Sequence, residues 1–579
     1  MVKRVLGINP TTVGTGQHDP AAVIFEDDEL VFGAEEERFN RDKHSFETFP
    51  EQSISACLDF CDITLSACDT IAVSWKPKAK TKYDLKLALD RNGLQKKAYQ
   101  AVKNMRNYKI SLSKLKNNLA ELGSSIPPIE TYNHHYCHAA SAFFPTDFDE
   151  ALVVTVDGRG EKDATVVWKG DRGSLERIRT YEYPNSLGAF FGTITTYLGY
   201  RVHNGEGKIM GLAPYGKYNK EIADKLLTLV EPGVDYDVSG LNYHAGEANT
   251  KLEELFEKPK KSGGGHFTDW EKDLAHIAQQ FIEETIAEIV ETYSHEQDTS
   301  NVCLAGGVAL NCKMNKRVME LDVVDDFFAQ PVSHDAGSAI GAGMLGTGVT
   351  EFKQTSEVYW GPEYSSSQIK TILEEYKIRY AEPDNLEREI AQRLAEGELI
   401  GWFQGKLEMG PRALGNRSIL ADPRSVDSRD KVNKFVKHRE EWRPFAPSLL
   451  ESAAEEYLIN ARPAPYMIKT FDVYDEKKDE ISAVLHPADG TTRPQTVRED
   501  QNRRYHTLLC EFERITNVPV LLNTSFNDSG EPLVNTPTEA IKDFFGMGLD
   551  TLVLGDVTVE KPIRDDREKI RSETTTYEQ

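Results

Sequence analysis

Residues Leu152-Val153-Val154-Thr155-Val156-Asp157-Gly158 form an apolar, largely β-branched run that ends in a carboxylate and a glycine. This pattern predicts a buried strand that ends at a polar loop. Two further strands are predicted at Ala164 to Trp168 and at Leu175 to Tyr183, on either side of a turn at Gly170 to Gly173. The stretch therefore predicts a buried strand followed by a hairpin, in a domain of the α/β class.

The same order of elements occurs near the N-terminus. Val5 to Asn9 is apolar, His18-Asp19 follows it, and the segments Ala21 to Phe25 and Leu30 to Ala34 flank an acidic turn. Repetition of one supersecondary unit indicates a duplicated domain. The sequence therefore predicts two similar halves, as in the actin-like ATPases, in which loops at the strand ends face each other across a cleft.

A long helix and two strand–turn–helix units are predicted further along this domain. Thr268 and Asp269 are suited to cap a helix whose buried face is marked by apolar residues at helical spacing: Leu274, Ala278, Phe281, Ile282, Ile286 and Ile289. Asn301 to Ala305 predicts a strand, and Gly306-Gly307 predicts a turn that offers backbone N–H groups to an anion. Phe327 to Leu345 repeats this order with a helix of small residues.

Composition limits the possible classes of protein. The chain has 579 residues, 39% of them hydrophobic, and a formal net charge of -25, which predicts two or three domains and disfavours a nucleic-acid partner. Its seven cysteines form no C-x-x-C pair, so neither a disulfide framework nor a zinc ribbon is expected. Without a membrane-length apolar run or a signal-peptide core, the chain is predicted to be cytoplasmic and independent of membranes.

The predicted organisation has two domains and a tail. An actin-like domain is expected over residues 1–352, a second α/β domain over 358–565, and a disordered tail over 566–579. The Lys-rich stretch from Trp75 to Leu122 predicts exposed helices to which no chemistry is assigned.

A candidate metal site comes from two histidines and two carboxylates. His134 and His138 are four residues apart, which places both imidazoles on one face of a helix, and Asp157 and Asp335 follow predicted strands. Such a set suits a divalent transition metal that acts as a Lewis acid. Spacing alone leaves a structural role open, since most such histidine pairs bind no metal, and it leaves open whether His135 or Cys137 also faces the ion.

The second domain contains the most basic stretch of this acidic chain. Between residues 412 and 443 lie nine cationic residues: Arg412, Arg417, Arg424, Arg429, Lys431, Lys434, Lys437, Arg439 and Arg443. Guanidinium groups bind phosphate oxygens bidentately, and glycines let backbone N–H groups approach closely. The stretch predicts a phosphate-rich ligand, with a solvated basic face as the alternative.

Several motifs together resemble the O-carbamoyltransferases of antibiotic and nodulation-factor biosynthesis. In the second domain they are the run from Met409 to Ser418, then Ile419 to Arg424 and Trp442 to Pro447; in the first they include His134-x-x-x-His138, Gly306-Gly307-Val308 and Asp335-Ala336-Gly337. The resemblance implies a first domain similar to the tRNA threonylcarbamoyl-adenosine transferase, with an iron-type ion (iron, manganese or zinc) held by the histidines and acidic residues. It implies a second domain similar to threonylcarbamoyl-AMP synthase.

The resemblance also implies roles for individual residues. His18, in the motif His18-Asp19-x-x-Ala22, is similar to the general base of carbamoyl transfer. In the first domain the residues expected to bind ATP or the adenylate are Arg38, Lys43, Lys208, Gly306, Gly307 and Asn311. In the second domain those expected to bind carbamoyl phosphate and ATP are Arg412, Arg417, Ser418, Lys437, Arg439, Arg443, Arg493, Asn523, Ser525 and Asn527.

The function implied by the resemblance is ATP-dependent O-carbamoylation. The second domain would use carbamoyl phosphate and ATP with Mg²⁺ to form a carbamoyl adenylate. The first domain would transfer the carbamoyl group to a hydroxyl of a small-molecule acceptor, a sugar or a secondary metabolite, through a shared enclosed channel. The alternatives are threonylcarbamoyl or hydrogenase-maturation chemistry, and a nucleotide-binding regulator that has lost activity. Neither the acceptor nor the oligomeric state is indicated.

Overall fold

Two five-stranded sheets of the same topology build the N-terminal part of the chain. The computed structural model describes residues 2–11, 18–77, 79, 82, 113–243, 246–349, 352 and 357–561. In the first sheet the strand order is β3-β2-β1-β4-β5, with β1–β2–β3 antiparallel and β4 and β5 parallel to β1. The strands are β1 Arg4–Asn9, β2 Ala21–Glu26, β3 Glu29–Glu35, β4 Thr70–Val73 and β5 Ile129–Thr131.

The second sheet repeats this arrangement strand for strand. Its order is β8-β7-β6-β9-β10, with an antiparallel β6–β7–β8 unit and with β9 and β10 parallel to β6. The strands are β6 Glu150–Val156, β7 Asp163–Asp171, β8 Ser174–Glu182, β9 Asn301–Ala305 and β10 Asp326–Ala329. The strand order therefore contains the duplication that the sequence predicts.

Two helices pack against each other between these sheets. The helix His134–Phe143 lies on β6 and β9, and the helix Asp335–Thr347 lies on β1, β2 and β4. Their contact is close because the second helix is built of small residues: a Cβ at Gly341 would lie 1.8 Å from the carbonyl oxygen of Cys137. This crossing brings the first turns of the two helices together, and with them His134 and Asp335.

The remaining helices of this part surround the sheets. The long helix Asp269–Gln297 begins after Thr268, as the sequence predicts, and the residues that form its capping box are Thr268 and Glu271. The others are Glu37–Asn40, Glu51–Phe60, Leu187–Tyr197, Glu206–Leu212, Lys220–Leu226, Ala248–Phe256 and Cys312–Met319. Residues 113–122 are helical, whereas the rest of the predicted Lys-rich helices, apart from a few residues at their start, and the tail 566–579 lie outside the described residues.

A seven-stranded mixed sheet forms the C-terminal part, in the order β16-β13-β17-β12-β11-β18-β19. A separate pair, β14 and β15, is antiparallel. The strands are β11 Ile400–Phe403, β12 Arg417–Ala421, β13 Ala446–Leu450, β14 Phe471–Asp472, β15 Thr491–Thr492, β16 Gln495–Val497, β17 Val520–Ser525, β18 Thr551–Leu554 and β19 Val557–Glu560. The helices are Ser366–Glu375, Leu386–Ala395, Val426–Lys431, Ala454–Tyr457, Arg503–Thr516 and Pro537–Gly546, with a π-helical turn at Val432–Lys437.

Buried polar contacts join the two parts of the chain at the run from Met409 to Ser418, which we call the basic signature. The Gly410 N–H donates to Glu35 Oε1 at 2.7 Å, and Arg38 Nη2 donates to the Gly410 carbonyl at 2.7 Å. These bonds hold the start of the signature against the end of β3. None of the helices in the described ranges is both long and apolar enough to cross a membrane.

Candidate functional site

Four buried side chains converge where the two central helices begin. His134 Nε2 lies 3.0 Å from Asp157 Oδ2, 3.5 Å from Asp335 Oδ1 and 3.1 Å from His138 Nε2. His138 Nε2 is 3.6 Å from the same Asp157 oxygen. One ligand atom from each of the four lies within 4.8 Å of the others, so the structure brings together all four residues of the predicted metal set.

Local hydrogen bonds position each member of this set. Asn133 caps the helix His134–Phe143 by accepting from the Tyr136 N–H at 3.1 Å, and the buried Glu161 carboxylate accepts from the His134 N–H. Trp75 stacks on the His134 ring, with 4.1 Å between centroids. Asp157 directly follows β6, and its Oδ1 accepts a hydrogen bond from the Gly158 N–H at 2.7 Å, which leaves Oδ2 facing the histidines.

The cluster is electrostatically suited to a cation. Burial lowers the pKa of His134, but Asp335 and Asp157 outweigh burial and raise it to about 10. Burial also opposes ionisation of Asp157, yet the two imidazoles hold the pKa of its carboxyl well below the usual range. Two imidazole nitrogens and two carboxylates are a ligand set that divalent iron, manganese or zinc accepts. The buried donors therefore fit the predicted ion.

His135 and Cys137 do not join the convergent ligand atoms. His135 Nδ1 lies 2.9 Å from Thr155 Oγ1 and its Nε2 lies 3.0 Å from the Asp163 carbonyl, so both ring nitrogens are engaged elsewhere. Burial raises the pKa of the Cys137 thiol well above its usual value, which disfavours the thiolate that metals bind. In this structure neither side chain directs a ligand atom into the group formed by His134, His138, Asp157 and Asp335.

His18 lies in a second group of side chains, centred on Asp19. The Asp19 carboxylate bridges two imidazoles: Oδ2 is 2.6 Å from His18 Nδ1, and Oδ1 is 2.7 Å from His44 Nδ1. Burial lowers the pKa of His18, but Asp335 and Asp19 raise it to about 9. The effect of Asp335 on this pKa means that the His18 group adjoins the proposed metal ligands.

A set of cations from both domains lies next to the His18 group, and we call it the junction cluster. Its members are Lys43, Lys208, Lys437, Arg439 and Arg443. Burial lowers the pKa of Lys208, and Arg443 and Lys43 lower it further. Burial likewise lowers the pKa of Lys437 well below its usual value, together with Arg439 and Lys43. These cations are thus close enough to repel one another.

The members of the junction cluster differ in how their donors are used. Lys437 Nζ donates to Ser525 and Asn527, for example to the Ser525 carbonyl at 2.6 Å. Arg439 Nε donates to Asn433 Oδ1 at 2.7 Å. Within the described part of the chain, the side-chain ammonium groups of Lys43 and Lys208 form neither a hydrogen bond nor an ion pair; the Lys208 ammonium lies over the Tyr200 ring at 4.5 Å. Free ammonium groups beside other cations are typical of an anion site.

Arg412 and Arg493 form a second cationic pair in the C-terminal domain. Burial lowers the pKa of Arg412 to about 9, and the charge of Arg493 contributes to this shift. Arg412 Nε and Arg493 Nη1 are buried and find no partner among the described residues. Two guanidinium groups that repel each other, each with a buried N–H that lacks a partner in the described structure, are costly unless an anion neutralises them.

Other predicted ligand-binding residues make contacts within the fold. Arg417 is fully buried, and its guanidinium donates to carbonyls of Gln404, Gly405, Asn416 and Pro362. Ser418 Oγ accepts from the Gly415 N–H at 3.0 Å. These two side chains are occupied in shaping the turn that presents Arg412.

Three more predicted residues are engaged similarly. Arg38 forms buried ion pairs with Glu35 and Glu37. Asn311 caps the helix Cys312–Met319 and exchanges amide hydrogen bonds with Gln279 at 2.9 Å. The Asn523 amide group donates to Ser448 Oγ at 3.0 Å, and its buried Oδ1 has no partner within the described residues.

The glycine turn after β9 supports the metal set. Gly306 has a φ of 89°, and a Cβ there would lie 2.3 Å from the Val156 carbonyl oxygen, so a side chain is sterically excluded. The Gly307 N–H lies 3.3 Å from Asp157 Oδ1 and donates to it. The predicted anion-binding turn thus directs one N–H to a carboxylate of the chain itself.

Sequence reasoning missed three residues of this region. Glu161 and Trp75 support His134, and neither belongs to a motif that would have singled it out. His203 lies with its ring 3.9 Å from that of His18, although 185 positions separate them in the chain. Only the folded chain brings these side chains to the site.

Comparisons with known proteins agree with this organisation. The family model for the carbamoyltransferase N-terminus matches residues 4–344, and that for the carbamoyltransferase C-terminus matches residues 391–561. An uncharacterized protein of Synechocystis sp. is 36% identical over 95% of this chain and 96% of its own length. Nodulation protein NolNO of Sinorhizobium fredii is 35% identical over 94% of this chain and 79% of its own length.

A relative with a named activity matches at lower identity. The 3'-hydroxymethylcephem-O-carbamoyltransferase of Amycolatopsis lactamdurans is 28% identical over 72% of this chain and 81% of its own length. Both family models together cover most of the described structure, including the metal set, the His18 group and the basic signature. The chain therefore belongs to the O-carbamoyltransferase family and is a transferase.

Proposed function

We propose that this protein is an ATP-dependent O-carbamoyltransferase that forms a carbamoyl adenylate from carbamoyl phosphate and ATP with Mg²⁺. The C-terminal domain, similar to threonylcarbamoyl-AMP synthase, forms the adenylate, and the actin-like domain transfers the carbamoyl group to a hydroxyl of a small-molecule acceptor. One observation carries the proposal: Lys43 and Lys208 of one domain meet the cations of the other domain beside Asp19 and His18.

The activation step takes place at Arg412 and Arg493. Water hydrolyses carbamoyl phosphate to carbamate and phosphate, a carbamate oxygen attacks the α-phosphorus of ATP, and pyrophosphate leaves with the electrons of the broken P–O bond. The carbamate and the triphosphate of ATP, both anionic, must approach each other during this step. Two guanidinium groups with unpaired N–H donors neutralise that charge and hold the reacting groups in place.

The transfer step takes place at His18. Its Nε2 accepts the proton of the acceptor hydroxyl while that oxygen attacks the carbamoyl carbon, and AMP leaves. Asp19 supports this role because its bond to Nδ1 keeps Nε2 directed away from the carboxylate. The junction cluster binds the phosphate of the adenylate from both domains, so that the intermediate is not released to water.

His134, His138, Asp157 and Asp335 would hold the divalent metal. When bound, the ion supplies Lewis-acid polarisation and offsets the negative charge of the two carboxylates. These carboxylates raise the pKa of His18, so lowering their charge favours the neutral imidazole that a general base requires. The charge on the metal ligands thus influences the pKa of His18, the residue proposed to accept the proton.

Replacement of Asp335 tests the metal ligands directly. The variant Asp335→Ala, reconstituted with Fe²⁺, Mn²⁺ or Zn²⁺ and desalted, is expected to retain less than about one tenth of the metal per chain, because ligand loss from a four-donor site lowers affinity steeply. Metal content is measured by inductively coupled plasma mass spectrometry. The matched control Asp322→Ala changes an exposed carboxylate and should bind as the unchanged protein does. Equal metal content in both variants would exclude Asp335 as a ligand.

The products of a single incubation test the proposed reaction. Protein, carbamoyl phosphate, ATP and Mg²⁺ are expected to yield pyrophosphate and phosphate, and addition of an acceptor should yield AMP and the carbamoylated product in equal amounts. Phosphate and pyrophosphate are measured by coupled assays, and AMP by chromatography. Release of ADP in place of AMP would contradict the adenylate, and absence of any nucleotide turnover would favour the inactive-regulator alternative.

A further inference from the structure

An aromatic side chain beside His18 is exposed without an evident structural role. Phe46 retains 43% of its surface in contact with solvent, and it does not pack in the hydrophobic cores of the described domains. Its ring centroid is 5.9 Å from that of His18 and 5.8 Å from that of His44. An exposed apolar ring beside the residue proposed as the general base, and beside a second imidazole, offers a face on which a substrate ring can pack.

His203 completes this surface from a different part of the chain. Its ring lies 3.9 Å from the His18 ring and 5.7 Å from the Phe46 ring. Burial lowers the pKa of His203 to about 4, and the charge of His18 contributes, so this imidazole is neutral near pH 7. Asn204, the next residue, places its Oδ1 3.2 Å from His44 Nε2.

The backbone around Phe46 and at His203 adopts left-handed conformations that non-glycine residues rarely occupy. His44, Ser45, Glu47 and His203 have φ values of 66°, 39°, 58° and 66°. Left-handed conformations cost roughly 1–3 kcal/mol per residue and cluster at ligand-binding sites. The fold thus maintains strain on two sides of the same small surface.

We propose that Phe46 and His203 form the acceptor subsite and that the acceptor is a neutral hydroxylated ring, such as a sugar, which stacks on Phe46. The inference rests on the proposed function, since it takes His18 as the base. An apolar ring face packs on Phe46, while ring hydroxyls bond to the neutral imidazole and to the Asn204 amide.

The test compares two neutral probes that differ in ring closure. Carbamoylation of methyl β-D-glucopyranoside and of sorbitol is measured by mass spectrometry with carbamoyl phosphate and ATP, and kcat/KM is obtained for each. The unchanged protein is expected to prefer the glucoside more than about tenfold, and Phe46→Ala to lower that ratio about tenfold, as loss of an aromatic contact predicts. Phe46→Trp keeps a ring and should keep the preference.

The matched control is Phe545→Ala, which removes another exposed phenylalanine, 45% in contact with solvent, from the C-terminal domain. It should have the same ratio as the unchanged protein. Two outcomes with a protein that still releases pyrophosphate would contradict the proposed acceptor subsite. In the first, the glucoside is carbamoylated no faster than sorbitol; in the second, neither probe is carbamoylated. An equal effect of Phe46→Ala on both probes would also overturn it. A protein that releases no pyrophosphate would instead contradict the proposed function.

Discussion

Replacing Arg412 by alanine is expected to lower pyrophosphate release from ATP and carbamoyl phosphate by about 10²–10³-fold. Arg412 is held beside Arg493 with a buried Nε that has no partner within the described residues, and its pKa of about 9 reflects burial and the neighbouring charge. An anion bound between the two guanidiniums removes that penalty, and loss of one partner of a buried charge pair costs several kcal/mol. Pyrophosphate release is followed by a continuous coupled assay without acceptor.

One further variant separates the charge of Arg412 from its geometry, and a second variant is the matched control. Arg412→Lys keeps the charge but loses the planar fork, so it should recover only part of the rate. Arg503→Ala removes an exposed arginine from the helix Arg503–Thr516 and should have the rate of the unchanged protein. Pyrophosphate release by Arg412→Ala at the unchanged rate would show that the assignment of the activation site is wrong.

Replacing His18 by alanine is expected to lower carbamoyl transfer by about 10²–10⁴-fold while pyrophosphate release continues, because general-base catalysis contributes a factor of this size. The two reactions are separable since His18 lies in the Asp19 group of the first domain, whereas Arg412 lies in the second. Carbamoylated acceptor and pyrophosphate are measured in the same incubation.

A conservative variant at the same position and a control at another histidine complete this experiment. His18→Gln keeps a polar side chain of similar length but cannot accept the proton as an imidazole does, so it should be as slow in transfer as His18→Ala. His276→Ala removes a histidine from the long helix Asp269–Gln297 and should transfer normally. Loss of both pyrophosphate release and transfer in His18→Ala would place His18 in activation, against the proposal.

Much of the fold follows from local patterns. The strand β6 is a run of apolar residues that ends at Asp157, and the structure has it at Glu150–Val156 with the predicted hairpin after it. The capping pattern at Thr268 likewise predicts where the long helix begins. These features depend on side chains close together in sequence, so a one-dimensional pattern contains what is needed to predict them.

The roles of single polar residues are harder to predict from the sequence than the positions of strands and helices. Arg412 and Arg417 belong to one ten-residue motif, yet the first has a buried nitrogen without a partner in the described structure, while the second donates to several backbone carbonyls. Sequence cannot separate them because the difference depends on which carbonyls the folded turn directs inward. The same applies to Asn311, whose amide is taken up by Gln279.

The sequence by itself determined the duplicated strand–hairpin units and the helical spacing of His134 and His138, since each depends on periodicity or short motifs. Only the tertiary structure decided that Asp157 and Asp335 meet these histidines, that Lys43 and Lys208 lie with cations of the other domain, and that His203 and Phe46 flank His18. The physical reason is that close packing of the two central helices and of the two domains sets distances between residues that lie far apart along the chain.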